Sequence, residues 1–112
     1  MALLIVSALS EDTIAAPGNA NPNYITVSVT DNSGNPVTGL VAANFQVQPM
    51  IVAPGGSLVN ITTVAAITFP GFYLVNVVPV PGQTWKLGVY IFAVVVVRGA
   101  DRGQAQCSVL LD

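Results

Sequence analysis

A chain of 112 residues, 53% hydrophobic and only 7% charged, has the length of one domain, 1–112, with enough apolar material for a core, and this composition excludes disorder. Three basic residues and a net charge of -2 leave nothing to meet a phosphate backbone, so no nucleic-acid partner is expected. Histidine is absent and cysteine occurs once, which removes His-based acid–base and nucleophile systems, His-ligated metals and an intrachain disulfide together.

The chain opens on an apolar run, Met1 to Leu9, that is shorter than the roughly 20 residues of a membrane-spanning helix. It has no basic segment before it and no small-residue cleavage site before Ser10-Glu11-Asp12. It therefore reads as an ordered first strand over 3–9, not as a leader to be removed. Beyond it, Pro and Gly interrupt apolar runs every eight to twelve residues, and no capped 3.6-residue periodicity appears; that rhythm belongs to an all-β sandwich. Further strands are predicted over 24–31, 44–48, 58–68, 72–78, 89–97 and 104–111, with turns at Asp31-Asn32-Ser33-Gly34-Asn35-Pro36, Pro54-Gly55-Gly56-Ser57, Pro70-Gly71 and Arg98 to Gly103. The alternation of Ile25, Val27 and Val29 with Thr26, Ser28 and Thr30 assigns one dry face to the second strand. By the same parity Phe45, Val47, Val59 and Ile61 point inward.

The segment Ile25 to Gly39, with Thr30-Asp31-Asn32-Ser33-Gly34-Asn35-Pro36-Val37-Thr38-Gly39 at its end and Asn44-Phe45-Gln46-Val47 after it, resembles bacterial immunoglobulin-like domains. Gly71-Phe72-Tyr73-Leu74-Val75-Asn76-Val77 and Gly88-Val89-Tyr90-Ile91-Phe92-Ala93-Val94 are similar to late strands of such modules. The resemblance implies an immunoglobulin-like β-sandwich of about seven strands with Greek-key connections. It does not imply one activity, because the architecture serves adhesins, enzyme accessory modules, filament subunits and phage or virion structural proteins. The paired cysteines of antibody domains are missing.

Several residues invite a chemical reading. Tyr90, just inside its strand, is a candidate for a corner tyrosine whose hydroxyl returns to nearby backbone. Trp85 is either a sugar-stacking platform or a cap on the open end of the core, and the lack of partner aromatics favours the cap. Asp31, Asn32, Ser33 and Asn35 offer oxygens, but a single carboxylate is little charge for calcium, and a turn accounts for them better. Arg98, Asp101 and Arg102 form either a partner contact or a solvated loop tip. Asn60-Ile61-Thr62 matches a glycosylation sequon by form only. Cys107 alternates with Val109 and Leu111, which suits a buried, inert thiol. Glu11 and Asp12 are neighbours in one loop, a poor arrangement for paired-carboxylate catalysis.

These readings converge on a non-enzymatic structural or interaction module, without cofactor or metal, that associates with copies of itself. The 72–78 and 89–97 strands are apolar on both parities, a pattern of burial on both faces. The expected interface therefore comprises Leu3 and Ile5 on the first strand, Phe72, Leu74 and Val78, and Phe92 and Val94. The alternative is a carbohydrate- or cell-surface-binding adhesion module that uses Trp85 and the loops beside it.

Overall fold

The strands follow the sequence punctuation closely in a computed structural model that describes residues 3–10 and 15–112. Seven occur among these residues: β1 (Ile5–Ser10), β2 (Asn23–Thr30), β3 (Phe45–Ile51), β4 (Val59–Ala66), β5 (Phe72–Pro79), β6 (Gly88–Arg98) and β7 (Asp101–Leu111). The Glu11–Asp12 pair lies outside the described residues. Most limits shift by one or two residues, and the two that shift by three do so for physical reasons. β3 runs on through Pro49 to Ile51, which a strand at a sheet margin tolerates because half of its N–H groups have no partner to lose. β7 begins at Asp101, because Gly99 at φ +59° closes a tight turn that sets Arg98 opposite Asp101. Most of the predicted six-residue loop is thereby drawn into the hairpin.

The strands form two antiparallel sheets, one of four in the order β1-β2-β5-β4 and one of three in the order β3-β6-β7. Their facing sides meet in a single cluster of buried residues. From the first sheet come Ile25, Val27, Val29, Tyr73, Val75 and Val77, and from the second Phe45, Tyr90, Phe92, Val94, Val96, Cys107 and Val109. Within β2 burial alternates strictly along the strand, as its sequence requires, and the outward Thr26, Ser28 and Thr30 are half-buried.

The N-terminal segment ties the two sheets together. Leu3 makes a parallel bridge to Arg102, and the Leu4 N–H donates to the Arg102 carbonyl at 2.9 Å before β1 pairs with β2. Leu4 itself is 2% exposed, within the core. This crossing needs Gly103, where a Cβ would run into the Leu4 carbonyl and come within 2.9 Å of the Val6 side chain. Gly71 plays a similar part between β4 and β5. It sits at φ +81° with its carbonyl accepting from the Val29 N–H at 2.8 Å, and a Cβ there would stand 2.8 Å from the Val29 carbonyl.

Antiparallel order places the β2–β3, β4–β5 and β6–β7 connections at one end of the molecule and the β3–β4 and β5–β6 connections at the other. One buried tyrosine anchors each end. The Tyr73 hydroxyl donates to the Val37 carbonyl at 2.7 Å and accepts from the Leu40 N–H at 3.3 Å, with its ring 5.4 Å from Phe45. At the opposite end the Tyr90 hydroxyl accepts from the Lys86 N–H at 2.9 Å, four residues upstream, in the manner expected of a corner tyrosine. No helix among the described residues is long and apolar enough to cross a membrane.

Candidate functional site

The polar candidates resolve into local structure. The Asp31 carboxylate accepts from the Asn35 N–H at 3.0 Å and the Ser33 N–H at 2.9 Å. Those two amides, Asn35 first, hold its pKa below the usual carboxylate value. Its oxygens thus serve the turn. Arg98 pairs with Asp101 across the β6–β7 turn at 3.3 Å, a contact that brings three of the predicted charged residues together only in part: Arg102 projects from the next outward position of β7. Cys107 is buried, and burial pushes its thiol pKa up, which suppresses the thiolate needed for reactivity. Asn60 and Thr62 of the sequon lie exposed on β4. Among the described residues no three His, Cys, Asp or Glu side chains gather where they could hold a metal ion.

Trp85 is fully buried. Its ring meets the edge of Tyr90 at 5.1 Å and 89°, and its Nε1–H donates to the Asn21 carbonyl at 2.8 Å. Its backbone also bonds Asn19 and Gly18. The indole therefore fastens the loop before β2 to the loop before β6, and a ring without accessible surface presents no face for a sugar to stack on. The aromatic partner is Tyr90, five residues on, which the sequence left hidden because the two residues meet only across the corner.

The apolar candidates divide. Leu3, Ile5 and Phe72 are exposed, at 65%, 51% and 39%, and Leu74 and Val78 are half-buried on the outer side of β5. Phe92 and Val94, in contrast, are fully buried in the core, with the Phe92 ring 6.0 Å from that of Tyr90. Their expected place in an interface is corrected by strand parity. Once the Tyr90 hydroxyl must reach the Lys86 N–H inside the corner, Phe92, Val94 and Val96 share its inward face. The outward face of β6 belongs to Val89, Ile91, Ala93, Val95 and Val97.

On the four-stranded sheet the registers set the outward residues in rows. Leu9, Thr26, Leu74 and Ala65 form one, and Ser7, Ser28 and Phe72 form the next. The β4–β5 turn adds Phe69, 66% exposed and with its ring 6.1 Å from Phe72, beside Ile67 at 39%. Sequence reasoning missed Phe69, although an aromatic on each side of Pro70-Gly71 was a signal that both would stand at a hairpin tip. No charged residue occurs between Asp31 and Lys86, so β4, β5 and this turn present apolar and hydroxyl or amide groups alone. Compared with known protein families, curated proteins and solved structures, the chain matches none.

Proposed function

We propose that this chain is a non-enzymatic structural module of immunoglobulin-like topology that associates with copies of itself through the outer face of the four-stranded sheet and the N-terminal strand. Two features support the topology. Sheet orders of first-second-fifth-fourth and third-sixth-seventh strands are those of a constant-type immunoglobulin sandwich, and the Tyr90–Lys86 bond fits its corner.

The observation that carries the self-association is the uncharged outer face with Leu9 65%, Ile5 51%, Phe72 39% and Phe69 66% exposed. Contiguous apolar patches rimmed by polar groups mark interaction sites, and each such side chain, once fully buried, gains about 1.5–3 kcal/mol. Among the described residues no charge on that face repels an identical face. Light scattering tests the proposal: the protein grows in mass with concentration, and Phe72→Lys with Leu74→Lys, which stays folded by circular dichroism because both side chains point outward, gives smaller species. A wild-type chain that remains monomeric at high micromolar concentration overturns it.

A further inference from the structure

The two sides of the sandwich are guarded unequally. On one side β1 and β7 cover each other, since Leu3 bridges to Arg102 and the Leu4 N–H donates to the Arg102 carbonyl before β1 continues along β2. On the other side stand β3 and β4. β3 carries Pro49 and a register shift between Pro49 and Ile51, and proline and bulges of this kind discourage pairing with another chain. β4 contains no proline. Its one shift lies between Ile61 and Thr63, and from Thr63 to Ala66 it pairs with β5 in unbroken register.

Antiparallel partners alternate between pairs that exchange hydrogen bonds and pairs that do not, and this alternation decides which β4 backbone groups are spent. The Ile67 N–H donates to the Phe72 carbonyl at 3.1 Å, so Ala65 and Thr63 also bond β5, opposite Leu74 and Asn76. Val64 and Ala66 fall between them and aim N–H and C=O away from β5. From the other sheet, β3 and the helical turn Ala42–Asn44 come near β4. Among the described residues no backbone hydrogen bond joins either of them to it. Ala66 shares the inward parity of Val64 and is nevertheless exposed, as are Thr63 and Ala65. The margin is therefore open where the backbone groups are unspent.

Nothing in the sequence guards it. Natural edges are blunted by lysine, proline or inward-pointing charges, whereas Ser57 to Phe69 contains no charge, no proline and no glycine, and no residue between Asp31 and Lys86 is charged. Such a margin is matched by a strand, because donors and acceptors at alternate positions are met by another extended backbone. β4 itself supplies the complementary pattern. Val64 and Ala66 are symmetric about Ala65, so an antiparallel copy related by a two-fold axis at Ala65 sets Val64 opposite Ala66 of the partner subunit and Ala66 opposite Val64 of the partner subunit. Every unspent group of the regular segment is then satisfied. At the axis two alanine side chains meet, and Thr63 lies opposite Ile67 of the partner subunit. An axis at Val64 instead sets Ala66 opposite Thr62, the residue that the bulge displaces.

We propose that β4 pairs with β4 of a second copy, antiparallel about Ala65, so that two four-stranded sheets become one continuous sheet. The contact is isologous, as a two-fold dimer requires. It rests on the self-association reading in needing a second copy as partner, and it deepens that reading by naming a contact and its register. The two surfaces are continuous, because Ala65 ends the outward row of Leu9, Thr26 and Leu74.

Sedimentation equilibrium of the full chain tests it in the Phe72→Lys, Leu74→Lys background, where the backbone margin of β4 is untouched and the expected species is a dimer. Adding Ala66→Pro removes an outward N–H without touching a β5 bond, a change that an edge strand tolerates, and the expected result is a monomer that circular dichroism shows to be folded. Ala65→Cys in the same background tests the register independently of the proline. Facing positions that exchange no hydrogen bond stand about 4.5 Å apart at Cα, within reach of a disulfide, so oxidised glutathione yields a covalent dimer, whereas Thr63→Cys yields none. If the background variant is monomeric while the wild type assembles, β4 pairing is overturned and the outer-face reading stands. A wild-type dimer that resists the two lysines but is lost with Ala66→Pro keeps β4 pairing and overturns the outer face. If the proline variant keeps the dimer, or Thr63→Cys cross-links as readily as Ala65→Cys, the pairing about Ala65 is overturned. A wild type that is monomeric throughout overturns both readings.

Discussion

The outer faces of the two sheets solve the same problem with different materials. On the three-stranded sheet the central strand β6 is apolar outward as well as inward, yet Val95 is 1% and Ala93 7% exposed within one chain. The registers explain this. Gln46 and Gln104 flank Val95, and Gln48 and Gln106 flank Ala93. The amides reach toward one another, Gln48 Nε2 donating to Gln46 Oε1 at 3.2 Å and Gln106 Nε2 to Met50 Sδ at 3.4 Å. The stems of long side chains on two margins thus cover the middle of a narrow sheet, while their polar ends stay wet. On the four-stranded sheet the central strands carry short Thr26, Ser28 and Asn76 outward, which cannot spread over their neighbours, and apolar groups at the margin and turn remain open. An apolar run on both parities is therefore covered within the chain at Ala93 and Val95 of β6 but leaves Phe72 of β5 39% exposed, and which outcome follows depends on strand order and on side-chain length next door.

The comparison breaks most sharply at the divide between inner and outer parity. Val27→Asp buries an unpaired charge at a position with no exposure and costs about 3–5 kcal/mol, enough to unfold a domain of ordinary stability. Ser28→Asp, one residue on and outward, stays within about 0.5 kcal/mol of wild type. Thermal denaturation separates the two, and equal melting temperatures would place β2 in the wrong register.

A smaller effect tests the inner parity of β7 by pH. Burial raises the Cys107 thiol above its ordinary value of 9.0, so the unfolded chain gives up that proton first as pH climbs, and the folded chain binds the extra proton. Stability is intact below that ordinary value, which the unfolded thiol keeps, and is lost as pH rises above it toward the raised folded value. Between pH 7 and pH 9.5 the melting temperature of the wild type should fall further than that of Cys107→Ala. Parallel curves would mean that the thiol is not desolvated.

The smallest effect sharpens the account of the glutamine cover. Gln46→Ala with Gln104→Ala uncovers Val95 while removing no core contact, so the melting temperature should move by the equivalent of about 0.5 kcal/mol or less. Binding of an apolar fluorescent dye should increase. Unchanged dye binding would show that other groups exclude water from β6.

Much of the fold was legible because strands with one wet face write their parity into the sequence. Ile25, Val27 and Val29 against Thr26, Ser28 and Thr30 sufficed to orient β2, and Pro70-Gly71 and Pro54-Gly55 marked turns through their backbone preferences alone. The candidate site was less legible. Phe92 and Val94 were placed outward because β6 offers no polar residue to break the tie, although Tyr90 already held the answer, since a corner tyrosine fixes the parity of every residue after it. Trp85 was ambiguous because one partner, Tyr90, lies on β6 and the other, Asn21, in the loop before β2.

The sequence by itself determined an all-β chain of seven strands, their approximate limits, the inward parity of the amphipathic ones and the lack of histidine chemistry, because each follows from local composition and a period of two. Tertiary structure alone decided which strands stand at the margins, which outward apolar residues are covered within the chain, and that the N-terminal segment meets β7 at Arg102 before β1 pairs with β2. Those properties depend on which strands lie next to one another, and neighbours in a sheet are set by contacts between residues far apart in the chain, where no local pattern reaches.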